Sequence, residues 1–205
     1  MNTPCKYAVV FAFVLFSVVF TQFAAVAGTA AELEKQFPQY SIYTAAEGHL
    51  SSDGFLYIAA FVYEKNDTFK RISLFRRYPN GKFQLLEQSE YVVPGKQIES
   101  LTIKNKAIIY SVETGACCDK TNDKYYFKLT KRGAMLYKNS LEYIRYGSLK
   151  PIIQMRTKCE NDFIANTGFI EESTQSKQTL KKYKLAAPKI LPLSEFELPP
   201  IKRTA

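Results

Sequence analysis

The chain has 205 residues, 46% of them hydrophobic, with 28 Lys+Arg against 19 Asp+Glu and a formal net charge of +9. That apolar content excludes a disordered or collagen-like chain, and the length suits one well-buried domain rather than two. A single histidine, His49, excludes HExxH metal chemistry.

The chain starts with a leader pattern. Lys6 is the only charged residue before Glu32, residues 7–23 are almost wholly apolar, and Ala25-Val26-Ala27 gives a small-x-small site. A basic start, an apolar core and an A-x-A site predict a secretory signal peptide over 1–27. The uncharged run is also long enough for an uncleaved anchor. The position of Ala27 favours cleavage, and with it export to a bacterial periplasm. Cys5 would leave with the signal. A domain over 28–190 and a Pro-rich extended tail over 191–205 follow, the tail holding Pro192, Pro199 and Pro200.

A short amphipathic segment, 30–37, ends at Pro38; from there the pattern turns to period two. "GFLYIAAFVYE" (54–64) is apolar at nearly every position, as a central strand buried on both faces requires. "TFKRISLFRRY" and "KFQLLEQS" flank Asn80-Gly81, a hairpin signal whose two central residues would both take positive φ. "QIESLTIK" and "KAIIYSVE" divide at Asn105, with Leu101 and Ile103 on one face and Ile108, Tyr110 and Val112 on another. "KYYFKLT" places Tyr125, Phe127 and Leu129 inward and Tyr126, Lys128 and Thr130 outward. "AMLYKNSLEYIRY" follows a Lys131-Arg132-Gly133 turn, and "DFIANTGFIEES" adds a strand or two. "SKQTLKKYKLAAPK" is basic. Short strands joined by polar turns predict an all-β, antiparallel single domain, sandwich or barrel-like, with one short N-terminal helix.

"ETGACCDKTND" (113–123) reads as a polar loop. Adjacent cysteines bridge each other only through a strained ring, so an exported chain would use one of them for a longer link. The pairing expected is Cys118 with Cys159, with Cys117 as the alternative partner. C-x-x-C is absent, and so is zinc spacing, so no metal or cofactor is expected. Asp119–Asp123 lacks the residue order of a calcium loop and reads as a solvated turn. Asn66-Asp67-Thr68 is a glycosylation sequon, relevant only in a eukaryotic secretory pathway.

His49 has no partner motif and reads as a polar residue at a strand start. G-x-S-x-G, S-x-x-K and a Gly-rich phosphate loop are all missing. The basic charge of an exported chain points away from nucleic acid and toward an acidic protein, an acidic polymer or a lipid headgroup. Arg71, Arg76 and Arg77 beside Phe75 and Tyr78 have the composition of an interface, so Arg71, Arg76, Arg77 and Tyr78 are the candidate binding patch.

"DGFLYIAAFVYEKN", "ISLFRRYPNGKFQLLEQS", "IESLTIKNKAIIYSVETGACC" and "KYYFKLTKRGAMLYKNSLEYI", over residues 50–145, together resemble exported bacterial all-β self-protection proteins. These are periplasmic immunity proteins against envelope toxins and the carbapenem self-resistance proteins of antibiotic producers. The resemblance carries no catalytic signature and transfers no site residues. It implies a non-enzymatic periplasmic protein that binds and neutralises a protein toxin or small antibiotic, or shields its target. Binding a β-lactam without hydrolysis is one form of this. Peripheral membrane contact and a homodimer stay open. The alternative is an envelope carbohydrate-binding module or hydrolase using paired carboxylates among Asp53, Glu64 and Glu113.

Overall fold

The computed structural model describes residues 28–65, 69–90, 92, 98–115, 119–146, 153–186 and 190–196. The expected signal over 1–27, the sequon at Asn66, both Cys117 and Cys118, and residues 197–205 of the expected tail lie outside them.

Helix α1 covers residues 28–36. Twelve strands follow: β1 (Tyr40–Gly48), β2 (Leu56–Glu64), β3 (Lys70–Arg77), β4 (Phe83–Gln88), β5 (Ile98–Lys104), β6 (Ala107–Gly115), β7 (Asp119–Thr130), β8 (Gly133–Tyr146), β9 (Ile153–Asp162), β10 (Thr167–Thr174), β11 (Gln178–Lys184) and β12 (Leu191–Pro192). A single 3-10 turn, Leu193–Glu195, comes after β12. Two antiparallel sheets result. One has the order β1-β2-β3-β4; the other has eight strands in the order β11-β10-β9-β8-β7-β6-β5, with β12 alongside β8. The chain is all-β, as its period-two pattern predicts.

β2 is central and buried on both faces, for the reason its continuous apolar run implies. Tyr57, Ala59 and Phe61 face the eight-stranded sheet, where they join Ile72, Leu74, Ile108, Tyr110 and Phe127 in the main core. Ile58, Ala60 and Val62 face the other way and pack with Leu33, Tyr40 and Phe75 in a second core beneath α1. The helix is clamped by its own side chains. Glu34 Oε1 accepts from Ile42 N at 2.7 Å and Gln36 Oε1 from Phe83 N at 3.0 Å. Phe37 packs its ring on Phe75, centroids 5.2 Å apart.

Two turns differ from expectation. At Asn80-Gly81 only Gly81 has positive φ (77°). Pro79 sets the preceding position, and Asn80 Oδ1 accepts from Lys82 N at 3.1 Å, which closes the turn through a side chain instead. The two-residue turn with both central φ positive lies at Asn105 (52°) and Lys106 (58°), joining β5 to β6.

The polar stretch 113–123 is not a loop at either end. Residues 113–115 continue β6, and Asp119–Asp123 open β7, paired as far as Gly115↔Lys120. Cross-strand pairing outweighs turn-forming composition here. The tail boundary also shifts. Leu191 and Pro192 pair with Leu136 and Met135, and the turn that follows inserts Leu193 (0% exposed) and Phe196 (2%) into the main core. Glu87 clamps this segment, Oε1 accepting from Ser194 N at 3.0 Å and Oε2 from Ala134 N at 2.7 Å. Residues 191–196 therefore belong to the domain: two large apolar side chains gain more from burial than the prolines lose in ladder bonds.

Cys159 is free. It pairs in register with Leu141 and Ile170, while Asp119 pairs with Arg145, itself opposite Met155. Two strands and four residues therefore separate Asp119 from Cys159, about 16 Å by ladder spacing. A disulfide needs Cα atoms within ~7 Å, and adjacent Cα atoms are only ~3.8 Å apart. The expected Cys118–Cys159 staple is not made from Cys159.

Candidate functional site

The four residues expected to form one patch are divided by strand alternation. Arg76 shares the sandwich-side face of β3 with Ile72 and Leu74, whereas Arg71 and Arg77 share the α1 face with Phe75. Arg76 and Tyr78 do meet. The Arg76 guanidinium donates from Nη2 to Tyr78 Oη and to Gln84 Oε1, each at 2.7 Å, and lies over the Phe55 ring at 4.9 Å. Tyr78 Oη donates to the same Gln84 oxygen at 2.7 Å. Arg77 is held by Glu32 Oε2 at 2.9 Å and lies over Phe83 at 5.5 Å. Arg71, about 20 Å back along the strand, has its Nε 4.0 Å from Glu64 Oε1. Arg76 and Arg77 thus serve internal contacts.

The three candidate carboxylates are also apart. Asp53 and Glu64 stand at opposite ends of β2, and Glu113 pairs with Lys120 at 2.8 Å on the eight-stranded sheet. The hydroxyls of Ser51 and Tyr57 hold the Asp53 carboxyl below the usual carboxylate range. Tyr57 Oη donates to it at 2.6 Å, and Phe55 N donates at 3.1 Å. His49 donates from Nδ1 to Phe55 O at 2.8 Å, closing the same loop. These groups fix the β1–β2 connection. Among the described residues, no group of three or more His, Cys, Asp or Glu side chains is placed to hold a metal ion.

A polar network that the sequence did not announce joins the two sheets. The Lys70 ammonium (β3, 3% exposed) ion-pairs with Glu99 of β5, Tyr110 Oη donates to Glu99 Oε1 at 2.6 Å, and Lys70 lies over the Phe61 ring at 4.6 Å. Burial pulls the Lys70 ammonium down to about 8 and pushes the Tyr110 phenol up. Set against Phe61 and the main core, this trio ties the layers together.

The open surface lies elsewhere. Only β5–β8 of the eight-stranded sheet face the smaller sheet. Of β9, β10 and β11, only Gly168 is buried, and none of their residues belongs to either core. These strands, with the far ends of β7 and β8, form a wing with no second layer among the described residues.

A bulge decides which side chains face out. Phe127 pairs with Leu136 but Tyr126 with Lys138, so Tyr137 is an extra residue in β8 and the alternation shifts there. Beyond the bulge, Lys138, Ser140 and Glu142 point to the outer face, away from the smaller sheet. The outer face carries lysines set over aromatic rings: Lys128 over Tyr137 at 5.5 Å, Lys138 over Tyr126 at 5.5 Å and Lys158 over Phe169 at 5.4 Å. Ion pairs cross it inboard. Glu160 joins Lys138 (2.6 Å) to Lys158 (3.6 Å), and Arg156 pairs with Glu142.

Three shallow depressions mark this face. Two, of about 640 and 670 Å³, lie beside Phe169 and Lys182 and share both. A third, about 340 Å³, is lined by Lys128, Met135, Tyr137, Ile164 and Ile190. Among the described residues no helix is long and apolar enough to cross a membrane.

The reverse face of the wing is pinned by a side-chain ladder. Tyr183 Oη donates to Asn161 Oδ1 at 2.6 Å, and Asn161 Nδ2 donates to Asn139 Oδ1 at 2.9 Å. Cys159 Sγ lies 3.3 Å from Tyr183 Oη. Tyr183 crosses β10 over Gly168, where a Cβ would come within 2.5 Å of its ring. The glycine is what lets an aromatic ring span the strand. Burial, then the neighbouring Cys159, raises the Tyr183 phenol to about 12.

Sequence reading placed Tyr126 and Lys128 outward but missed Tyr137, Phe169 and Lys182 as members of one surface. The bulge at Tyr137 leaves no sequence signature, and whether a second layer covers a sheet is a tertiary fact. Compared with protein-family models, curated proteins and solved structures, the chain matches none.

Proposed function

We propose that this chain is an exported binding protein that acts through its surface: a protection protein of the immunity kind, which sequesters an acidic, envelope-directed protein toxin on the outer face of the eight-stranded sheet. The observation that carries the reading is that face itself, uncovered among the described residues, with Tyr126, Tyr137 and Phe169 each beneath a lysine. Rigid aromatic area is typical of a protein interface, and the lysines above it suit an acidic partner. A protein partner fits better than a small antibiotic, because the depressions are shallow and spread over a sheet, whereas a small ligand calls for an enclosing pocket. Export rests on the residue pattern of 1–27. The net charge of +9 favours encounter with an acidic partner.

The test is stoichiometric protection. Sensitive bacteria secreting the chain are challenged with a panel of envelope-directed protein toxins and with β-lactams. Survival against a protein toxin that saturates near one-to-one, with the toxin recovered intact, supports the reading. Protection at catalytic ratios with a cleaved toxin or hydrolysed β-lactam, or no protection against any member of the panel, overturns it.

A further inference from the structure

We infer that the free edge of β11 is a docking site for an extended acidic segment of a protein partner, which adds to the eight-stranded sheet as a further strand. This deepens the proposed reading by naming where on the surface the partner engages and in what conformation.

β11 is the terminal strand of the sheet, so one side of its backbone has no ladder partner among the described residues. Its pairing with β10 is unbroken from Thr167↔Lys184 to Ser173↔Gln178, and Tyr183 is fixed across Gly168. A pre-ordered edge of this kind can take an added strand without first paying for its own ordering. On the outer face Leu180 is 59% exposed beside the Phe169 depressions, followed by Lys182 and Lys184; Lys181 alternates to the reverse face.

Charge identifies the occupant. Inboard cations such as Lys138, Arg156 and Lys158 are ion-paired, whereas Lys181, Lys182 and Lys184 have no ion pair among the described residues. A second copy of β11 would set lysine opposite lysine, which is unfavourable in a cross-strand pair. The chain's own last residues, 197–205, carry Lys202 and Arg203 and two prolines that cannot donate to a ladder. Edge lysines commonly guard a strand against pairing with apolar or like-charged strands. The same lysines admit a strand whose alternate positions are acidic.

The probe is a fluorescent strand-forming peptide alternating Glu with Val and Thr. A Gln-for-Glu version and phosphatidylglycerol vesicles serve as comparisons, all with the full purified chain. The expected result is saturable binding of the Glu peptide, weakened tenfold or more in Lys182→Glu/Lys184→Glu. Slowed amide exchange confined to Gln178–Lys184 and the adjoining β10 should accompany it. Circular dichroism of the double variant should match the native chain, since both side chains are solvent-facing. No binding, binding without slowed exchange in β11, equal binding of the Gln peptide, or vesicles protecting β11 in the peptide's place would overturn the inference. Peptide docking is read on purified protein and does not depend on survival, so this inference and the protection reading fail separately.

Discussion

The two halves of the eight-stranded sheet are made of similar strands and differ in what lies against them. In β6 and the second half of β7, Ile108, Tyr110 and Phe127 are fully buried under the smaller sheet. In β10, Ile170 and Phe169 point to the inner and outer faces, yet across β9, β10 and β11 no apolar side chain is buried. The covered half is held by apolar burial, the wing by ladder bonds, ion pairs and the Tyr183–Asn161–Asn139 chain. Stability is therefore concentrated in one half and accessible surface in the other. An outer-face residue can change without unfolding the chain, which is what a surface adapted to a partner requires.

The contrast is broken most directly by removing one ring from each half. Phe61→Ala in the covered half is expected to cost about 3–5 kcal/mol, and Phe169→Ala in the wing no more than ~1 kcal/mol, both read by urea denaturation. Similar costs would mean that the wing is covered after all.

The buried Lys70–Glu99 pair sharpens the comparison on the covered side. Lys70→Met leaves Glu99 charged and enclosed, a loss of about 3–5 kcal/mol. Adding Glu99→Leu should restore part of it, since the buried Tyr110 hydroxyl then loses its acceptor. The surface pair Lys120–Glu113 gives the contrast: Lys120→Met is expected to change the denaturation midpoint very little.

On the wing, Gly168→Ala forces Tyr183 off Asn161. An expected loss of about 1–3 kcal/mol is local. Amide exchange should quicken in β9–β11 and stay unchanged in β2 and β6. Uniform quickening would contradict the division into halves.

A small effect is expected of Tyr183→Phe, about 1 kcal/mol at neutral pH. Its pH dependence has a defined sign. The folded phenol titrates at about 12 and the unfolded one near 10, so the folded state holds the proton longer. That contribution is fully present below about pH 10 and lost as pH rises through 12. Stability curves of native and Tyr183→Phe chains should converge across that window.

How much was legible follows the same division. A continuous apolar run placed β2 at the centre, and period two oriented Tyr125 and Phe127, because burial writes itself into sequence. Leu101 and Ile103, expected on a different face from Ile108, Tyr110 and Val112, instead pair with Tyr110 and Ile108 across the β5–β6 hairpin and share their core. Loop-like composition at 113–123 misled, since residues favouring turns were overruled by pairing of β6 with β7 and of β7 with β8. Cys159, expected to bridge Cys118, is free, because compartment and cysteine count say nothing about register across strands. The four residues of the arginine patch do not share one face for a related reason: Arg76 and Arg77 are neighbours in sequence and therefore on opposite faces of β3. The wing was invisible because being uncovered is a relation between sheets.

The central claim is that the outer face binds while the sandwich supports the fold. Its most direct test is to measure protection and melting temperature together for Phe169→Ala/Lys182→Glu, secreted at native levels. The account predicts that melting is nearly unchanged and protection against the susceptible protein toxin is lost. A double variant that protects as well as the native chain would contradict it.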